Sequence, residues 1–152
     1  MSSLSTYVVS MQKQGILLPK ASVAEIIPYE PLQRVEDTPD WFLGLLGWRG
    51  VQLPVASFEM LTVERASFSL VSVSSASLVI VKGLNDQNRL PYYAIVAQTA
   101  PRLVDLAEEM LFETGEPAER TESDRVRFED EVISIPDLDY VETAILNVIG
   151  QG

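Results

Sequence analysis

The sequence predicts a mostly-β chain built as small barrels or a sandwich and closed by one C-terminal helix. Three features point there. Short β-prone runs recur along the 152 residues, separated by turn residues. Prolines and glycines break the chain too often for long helices. Only the segment after Pro136 spaces its apolar residues as a helix does, with Leu138, Val141, Ile145 and Val148 on one stripe.

The elements follow in order. Tyr7–Met11 is a β-prone run, and Gly15 turns the chain into a second strand, Ile16–Pro19. Ala21–Ile27 carries Val23, Ile26 and Ile27 and reads as a short helix or an irregular turn. Pro28, Pro31 and Pro39 then argue against helix, because proline lacks the amide donor and crowds the preceding turn. Trp41–Leu46 is apolar and punctuated by Gly44, Gly47 and Gly50. Val51–Val55 alternates as a strand, with Pro54 favouring an edge or a strand end.

Ser67–Ser77 interleaves six serines with Phe68, Leu70, Val71 and Val73, and divides the chain near its middle. Leu78–Lys82 and Leu90–Ala97 form a hairpin across a turn rich in Asn85, Asp86 and Asn88. Leu103–Phe112 reads as partly helical and Glu113–Arg125 as an exposed loop. Val126–Phe128 and Glu131–Ile135 make a last hairpin, and Asp137 is the N-cap of the closing helix.

Composition narrows the function. There are 22 acidic against 11 basic residues, a net charge of −11. Such a chain repels phosphate backbones and anionic headgroups, so neither nucleic acid nor direct membrane insertion is expected. Cysteine and histidine are both absent. Disulfides, thiolate metal sites, thiol nucleophiles and a Ser-His-Asp triad are therefore excluded, while carboxylate chemistry stays open. The N-terminal residues lack a signal-peptide pattern, and the apolar runs fall short of the roughly 20 residues a membrane helix needs. A soluble cytoplasmic protein without catalytic activity, metal or other cofactor is the expectation.

One stretch carries more information than the rest. Val23-Ala24-Glu25-Ile26-Ile27 is followed by Thr38-Pro39, and then by Gly44-Leu45-Leu46-Gly47-Trp48-Arg49-Gly50-Val51-Gln52-Leu53-Pro54-Val55. Together these segments resemble the CheW family, which carries Val-x-Glu-Ile, a following proline, and Gly-x-x-Asn-x-Arg-Gly-x-x-x-Pro. A lone Arg-Gly would mean nothing; the joint spacing without a gap is specific. Leu78–Val81, Tyr93–Val96 and Val132–Leu138 fill the places of the family's later strands and final helix with generic patterns. Departures exist: Gly47 replaces an Asn, Ser57-Phe58-Glu59 an Asp-Leu-Arg, and Ala97-Gln98 a Val-Asp. They suggest a divergent branch, such as one serving a type IV pilus (twitching motility) chemosensory system.

The resemblance implies a single CheW-like domain over residues 1–152, made of two small Src-homology-3-like β-barrels with short helices and a C-terminal helix. The first subdomain would span about 16–62, the second about 78–136 and the helix about 137–149, with the termini crossing between subdomains. It implies a bacterial adaptor that binds the cytoplasmic tip of methyl-accepting chemoreceptors and the regulatory domain of a CheA-type histidine kinase, in the two-component signalling of chemotaxis. Val23, Glu25, Ile27 and Arg49 are then the partner-binding candidates, and Ile26, Pro39, Gly44, Gly50 and Pro54 the structural positions of the motif.

Plainer readings compete. Val23, Ile26 and Ile27 also suit a core, and core is the favoured reading for Ile26. Glu25 and Arg49 carry opposite charges, and an ion pair is favoured over direct partner contact at Arg49. Trp41 and Trp48 suit interface anchors, with at least one in the core. The three glycines lack the Lys-Ser/Thr of a phosphate loop. Asp105, Glu108, Glu109, Glu113, Glu116 and Glu119 lack a calcium-loop pattern and read as a solvated face. Three functions remain: a coupler, a carboxylate-dependent hydrolase, and a CheW-like scaffold or competitor that no longer couples the kinase.

Overall fold

The structure, a computed structural model, describes residues 4–11, 15–62, 75–84, 88–107, 110–115, 121–129 and 131–150. Eleven strands form two sheets, with two helices among the described residues. The first sheet contains β1 (Leu4–Ser10), β2 (Gly15–Pro19), β8 (Arg102–Leu106), β9 (Phe112–Glu113), β10 (Glu122–Phe128) and β11 (Glu131–Pro136), in the order β8-β1-β2-β11-β10-β9. The second contains β3 (Val23–Pro28), β4 (Phe42–Trp48), β5 (Val51–Ala56), β6 (Ser77–Lys82) and β7 (Tyr92–Ala97), in the order β3-β6-β7-β5-β4. Helix α1 (Phe58–Thr62) follows β5, and α2 (Leu138–Ile149) closes the chain.

Strand burial explains the sequence pattern. β6 and β7 are covered on both faces, so they appear as nearly unbroken apolar runs. Leu78, Ile80, Ala94 and Val96 face the interior of the second sheet, together with Leu46, Leu53 and Val55. The alternate residues Val79, Val81, Tyr93 and Ile95 face outward, against Val9, Ile16 and Leu18 of the first sheet. Val8 and Leu17 turn the other way and meet Val126, Phe128 and Ile133 inside the first sheet. Each sheet therefore curls around its own core, and a third core lies between them.

Helix α2 seals that middle core with Val141 and Ile145. Asp137 caps it, its side chain accepting from the Tyr140 N–H at 3.2 Å, which satisfies an otherwise orphan amide. Glu142 is fully buried on the same helix. Its carboxylate accepts from the Leu84 N–H at 2.9 Å and from the Tyr93 hydroxyl at 3.3 Å. Burial, reinforced by the neighbouring Glu142 charge, pushes the Tyr93 phenol far above its usual range.

Strand pairing runs across the expected bounds of about 16–62 and 78–136. Strands β6 and β7 pair with β3 and β5, while β2 pairs with β1 and, in parallel, with β11. The chain thus inserts one continuous sheet, 23–97, between two parts of the other. The physical reason is pairing between distant segments, which local patterns do not encode. The serine-rich divider falls largely on residues 63–74, outside the described residues, as do Asn85 and Asp86 of the expected turn and Glu108, Glu109, Glu116 and Glu119 of the acidic run.

Three local readings also change. Only Lys20–Ser22 forms a 3-10 turn, and Val23–Pro28 is a strand, its β-branched residues paired with β6. Leu103–Leu106 is strand rather than helix, because β8 pairs along β1 from Leu4↔Leu106 to Val8↔Arg102. The exposed loop to Arg125 gives way to β10 from Glu122 onward. There Glu122 is buried and takes the Arg125 Nε–H at 3.0 Å and the Ser134 hydroxyl.

Two stability predictions follow from these buried groups. Arg125→Ala would remove a cationic partner from the buried Glu122 carboxylate, so urea denaturation should show a loss of about 3–5 kcal/mol, partly recovered by adding Glu122→Gln. The Tyr93 shift acts at alkaline pH: the unfolded phenol ionises near pH ~10 and the folded one only higher. Stability present below that value is therefore lost as pH rises beyond it. Ultraviolet absorbance titration should show one tyrosine that ionises only with unfolding, and Tyr93→Phe should abolish that step.

Candidate functional site at the seam between the sheets

Strand β3 is the edge of the second sheet and lies beside the start of β1. A shift of register between Val23 and Glu25 places a bulge in it. The bulge keeps Val23 and Ile26 on one face, packed against the middle core, and turns Ala24 and Ile27 to the interior of the second sheet. An open depression of about 760 Å³ lies between the two strands. Leu4, Ser5 and Tyr7 of β1 form one wall, and Val23 to Ile26 form the other. Lys20, Ala21 and Lys82 complete the lining.

Glu25 is held in place by two donors. Trp48 gives its indole N–H at 2.9 Å and Arg49 its guanidinium at 3.0 Å, both to the same carboxylate oxygen. The Arg49 guanidinium also stacks over the Trp48 ring, 4.7 Å from its centre, while Tyr92 meets that ring edge-on at 4.9 Å. The pair is solvated, with 70% of the Arg49 side chain and 37% of the Glu25 side chain exposed.

The β4–β5 hairpin delivers Arg49 to this position. Trp48 pairs with Val51 across a two-residue turn in which Arg49 has φ +49° and Gly50 φ +80°. Positive φ at both central residues is the turn that follows the natural twist of a hairpin, and glycine suits the second place without strain. Arg49 accepts a left-handed backbone there while its side chain holds Glu25 and Trp48. Gly44 has a different reason. The Gln33 backbone bonds Leu45 in both directions, at 2.9 and 2.8 Å, and a Cβ on Gly44 would lie 2.6 Å from the Gln33 carbonyl oxygen. The segment after β3 thereby covers the β4 edge of the sheet.

The remaining motif positions support the same hairpin. The Pro39 carbonyl accepts the Phe42 N–H at 3.0 Å, starting β4. Pro54 is buried in β5 opposite Leu45, one residue before β5 pairs with β7 at Val55, so its missing donor falls outside that second ladder. Trp41 packs against the middle core and Trp48 against the core of the second sheet, each partly buried.

The structure therefore brings Val23, Glu25 and Ile26 into one depression, with Arg49 reaching Glu25 from the hairpin tip. Ile27 does not join them; it points to the opposite side of the sheet, because it is one residue on from Ile26 in a strand. Leu4, Tyr7, Lys20 and Lys82 were not singled out by sequence reasoning. Alternation in β1 was the available signal, but it does not say which strand the free face meets.

The CheW-like domain family matches residues 6–143. The chain belongs to the CheW-like domain family. Its fold is also similar to the crystal structure of the scaffolding protein TtCheW from Thermoanaerobacter tengcongensis, with a TM-score of 0.70 and 14% sequence identity over 89% of each chain. No match was found among curated proteins. Two positions that depart from the family's pattern make structural bonds in this CheW-like domain, Ser57 through its side chain and Gln98 through its backbone. The Ser57 hydroxyl accepts the Met60 N–H at 3.3 Å at the start of α1, and the buried Gln98 joins the sheets through its N–H to the Ser10 carbonyl at 2.9 Å. No helix among the described residues is long and apolar enough to cross a membrane.

Because the Glu25–Arg49 pair is exposed, it contributes little to stability. Arg49→Ala should cost less than about 1 kcal/mol in urea denaturation. Arg49→Gly should cost less still, since glycine removes the left-handed strain, worth about 1–2 kcal/mol for an L-residue.

Proposed function

We propose that this CheW-like domain is a non-catalytic cytoplasmic adaptor that couples the tips of methyl-accepting chemoreceptors to the regulatory domain of a CheA-type histidine kinase. The observation that carries the reading is the depression between β1 and β3, which mixes apolar and charged walls and is bordered by the Glu25–Arg49 pair. Family membership supports it, and so does the absence of histidine and cysteine from the sequence. A protein that acts through surface needs apolar anchors and polar marks for register. Val23 and Ile26 supply partly buried apolar walls, and Leu4 an exposed one. An amphipathic helix of the receptor tip fits such a groove through a few apolar contacts. Glu25 and Arg49 lie where they can fix its register. Ile27 acts behind them by packing β3 onto its own core.

A second reading is favoured by Ser57, Glu59 and Gln98. These positions depart from the family's pattern, and the Ser57 hydroxyl is engaged in capping α1. That supports a divergent scaffold or competitor, for instance in a type IV pilus chemosensory system, which binds receptors without coupling the kinase.

Binding titrations of the receptor tip and of the kinase regulatory domain, performed separately, test both readings. Val23→Asp places a charge in a contact that excludes water and should weaken receptor-tip binding at least tenfold, about 1.4 kcal/mol. Leu4→Glu, at a side chain already 55% exposed, should do the same with an unchanged melting curve. Unaltered affinity in both variants would remove the groove from the reading. Receptor binding without kinase binding would select the scaffold.

A further inference from the structure

The charges around the depression are unevenly satisfied. Among its described lining residues the one carboxylate, Glu25, is already engaged by Trp48 and Arg49, and Asp105 beside it accepts from the lining Ser5 hydroxyl at 3.1 Å. Lys20 and Lys82 are both exposed, and neither side chain makes a hydrogen bond or ion pair with a described residue. By contrast, Arg49, Arg102 and Arg125 each hold a carboxylate. The sequence contains three lysines, Lys13, Lys20 and Lys82, within a protein of net charge −11. Two of the three thus border one depression, and neither has an ion-pair partner among the described residues.

Both lysines sit at the same end of it. Lys20 lies in the turn just before Val23, and Lys82 follows Val81, which pairs with Val23. On the other side of β1, Leu103, 48% exposed, pairs with Tyr7 and so shares its face of the first sheet.

We propose that Lys20 and Lys82 determine which helix the groove accepts, selecting an amphipathic helix whose apolar stripe is flanked by carboxylates. The inference rests on the reading that this groove receives a helix, and it adds the chemistry of that helix. At physiological ionic strength charges interact over about 8 Å, so the overall negative charge does not govern a contact made directly at the two ammonium groups. Charges at the rim of an interface chiefly set register, choice of partner and association rate, and like charges brought together there exclude wrong partners. The competing role for the lysines is to lay their alkyl stems over the apolar floor, which would favour neither sign of charge in a partner.

A reciprocal charge exchange separates these roles. Two helical hairpin probes would share one apolar stripe, flanked by glutamates in one and by lysines in the other. Each would be titrated into the full chain and into Lys20→Glu/Lys82→Glu, with melting curves recorded. The wild type should prefer the glutamate-flanked probe by about tenfold, and the exchanged protein should reverse the order. If the exchanged protein melts early, Lys20→Gln/Lys82→Gln carries the comparison and should abolish the preference. Equal binding of both probes to the wild type, or the same order in every protein, would overturn the role of the lysines and leave the groove standing. Failure of both probes to bind every one of the proteins would overturn both the lysines' role and the groove.

Discussion

The middle core is the constraint on which the other parts depend. Val9, Ile16 and Leu18 from one sheet meet Val79, Val81 and Ile95 from the other, and α2 lays Val141 and Ile145 across the join. Because β2 and β6 must each serve a private core and this shared one, their side chains are apolar on both faces. Fully burying a side chain of that size is worth about 1.5–3 kcal/mol, so the shared layer holds the sheets together in a chain that has no cysteine for a disulfide. The seam that forms the candidate site is the outer margin of the same layer. Val23, Ile26 and Tyr7 pack against it while remaining partly open to solvent.

Buried polar groups fix the geometry of that layer where apolar contacts alone would leave it free to slide. Glu142 ties α2 to the Leu84 backbone and to the Tyr93 hydroxyl. Gln98 and Ser10 join β7 to the end of β1 through the backbone. Both links cross between segments that lie far apart in the chain. The exposed Glu25–Arg49 pair works differently: it is solvated, adds little energy, and orients a hairpin tip beside the groove.

Much of this was legible in the sequence, for identifiable reasons. The β6–β7 hairpin, the final hairpin and α2 with its Asp137 cap are local structures, and local residues announce them. The Glu25–Arg49 contact was anticipated through spacing shared with a known family. The strand β3 was missed because its bulge disguises the alternation, and β8 because its pairing with β1 bridges a long stretch of chain. The nesting of the sheets is likewise a matter of which distant strands pair. Lys20 and Lys82 gave no signal at all, since an exposed lysine acquires meaning only from the surface around it.

The inserted sheet has a consequence for synthesis on the ribosome. Residues 23–97 can pair completely once β7 has emerged, and Ile16 and Leu18 can then pack onto them. Val8 and Leu17, on the reverse side of the same hairpin, have no core until Val126, Phe128 and Ile133 arrive. At translation speeds of about 5–20 residues per second, that interval lasts about 2–7 seconds. During it the nascent chain carries a finished half and an apolar flank awaiting cover, a natural moment for chaperone capture.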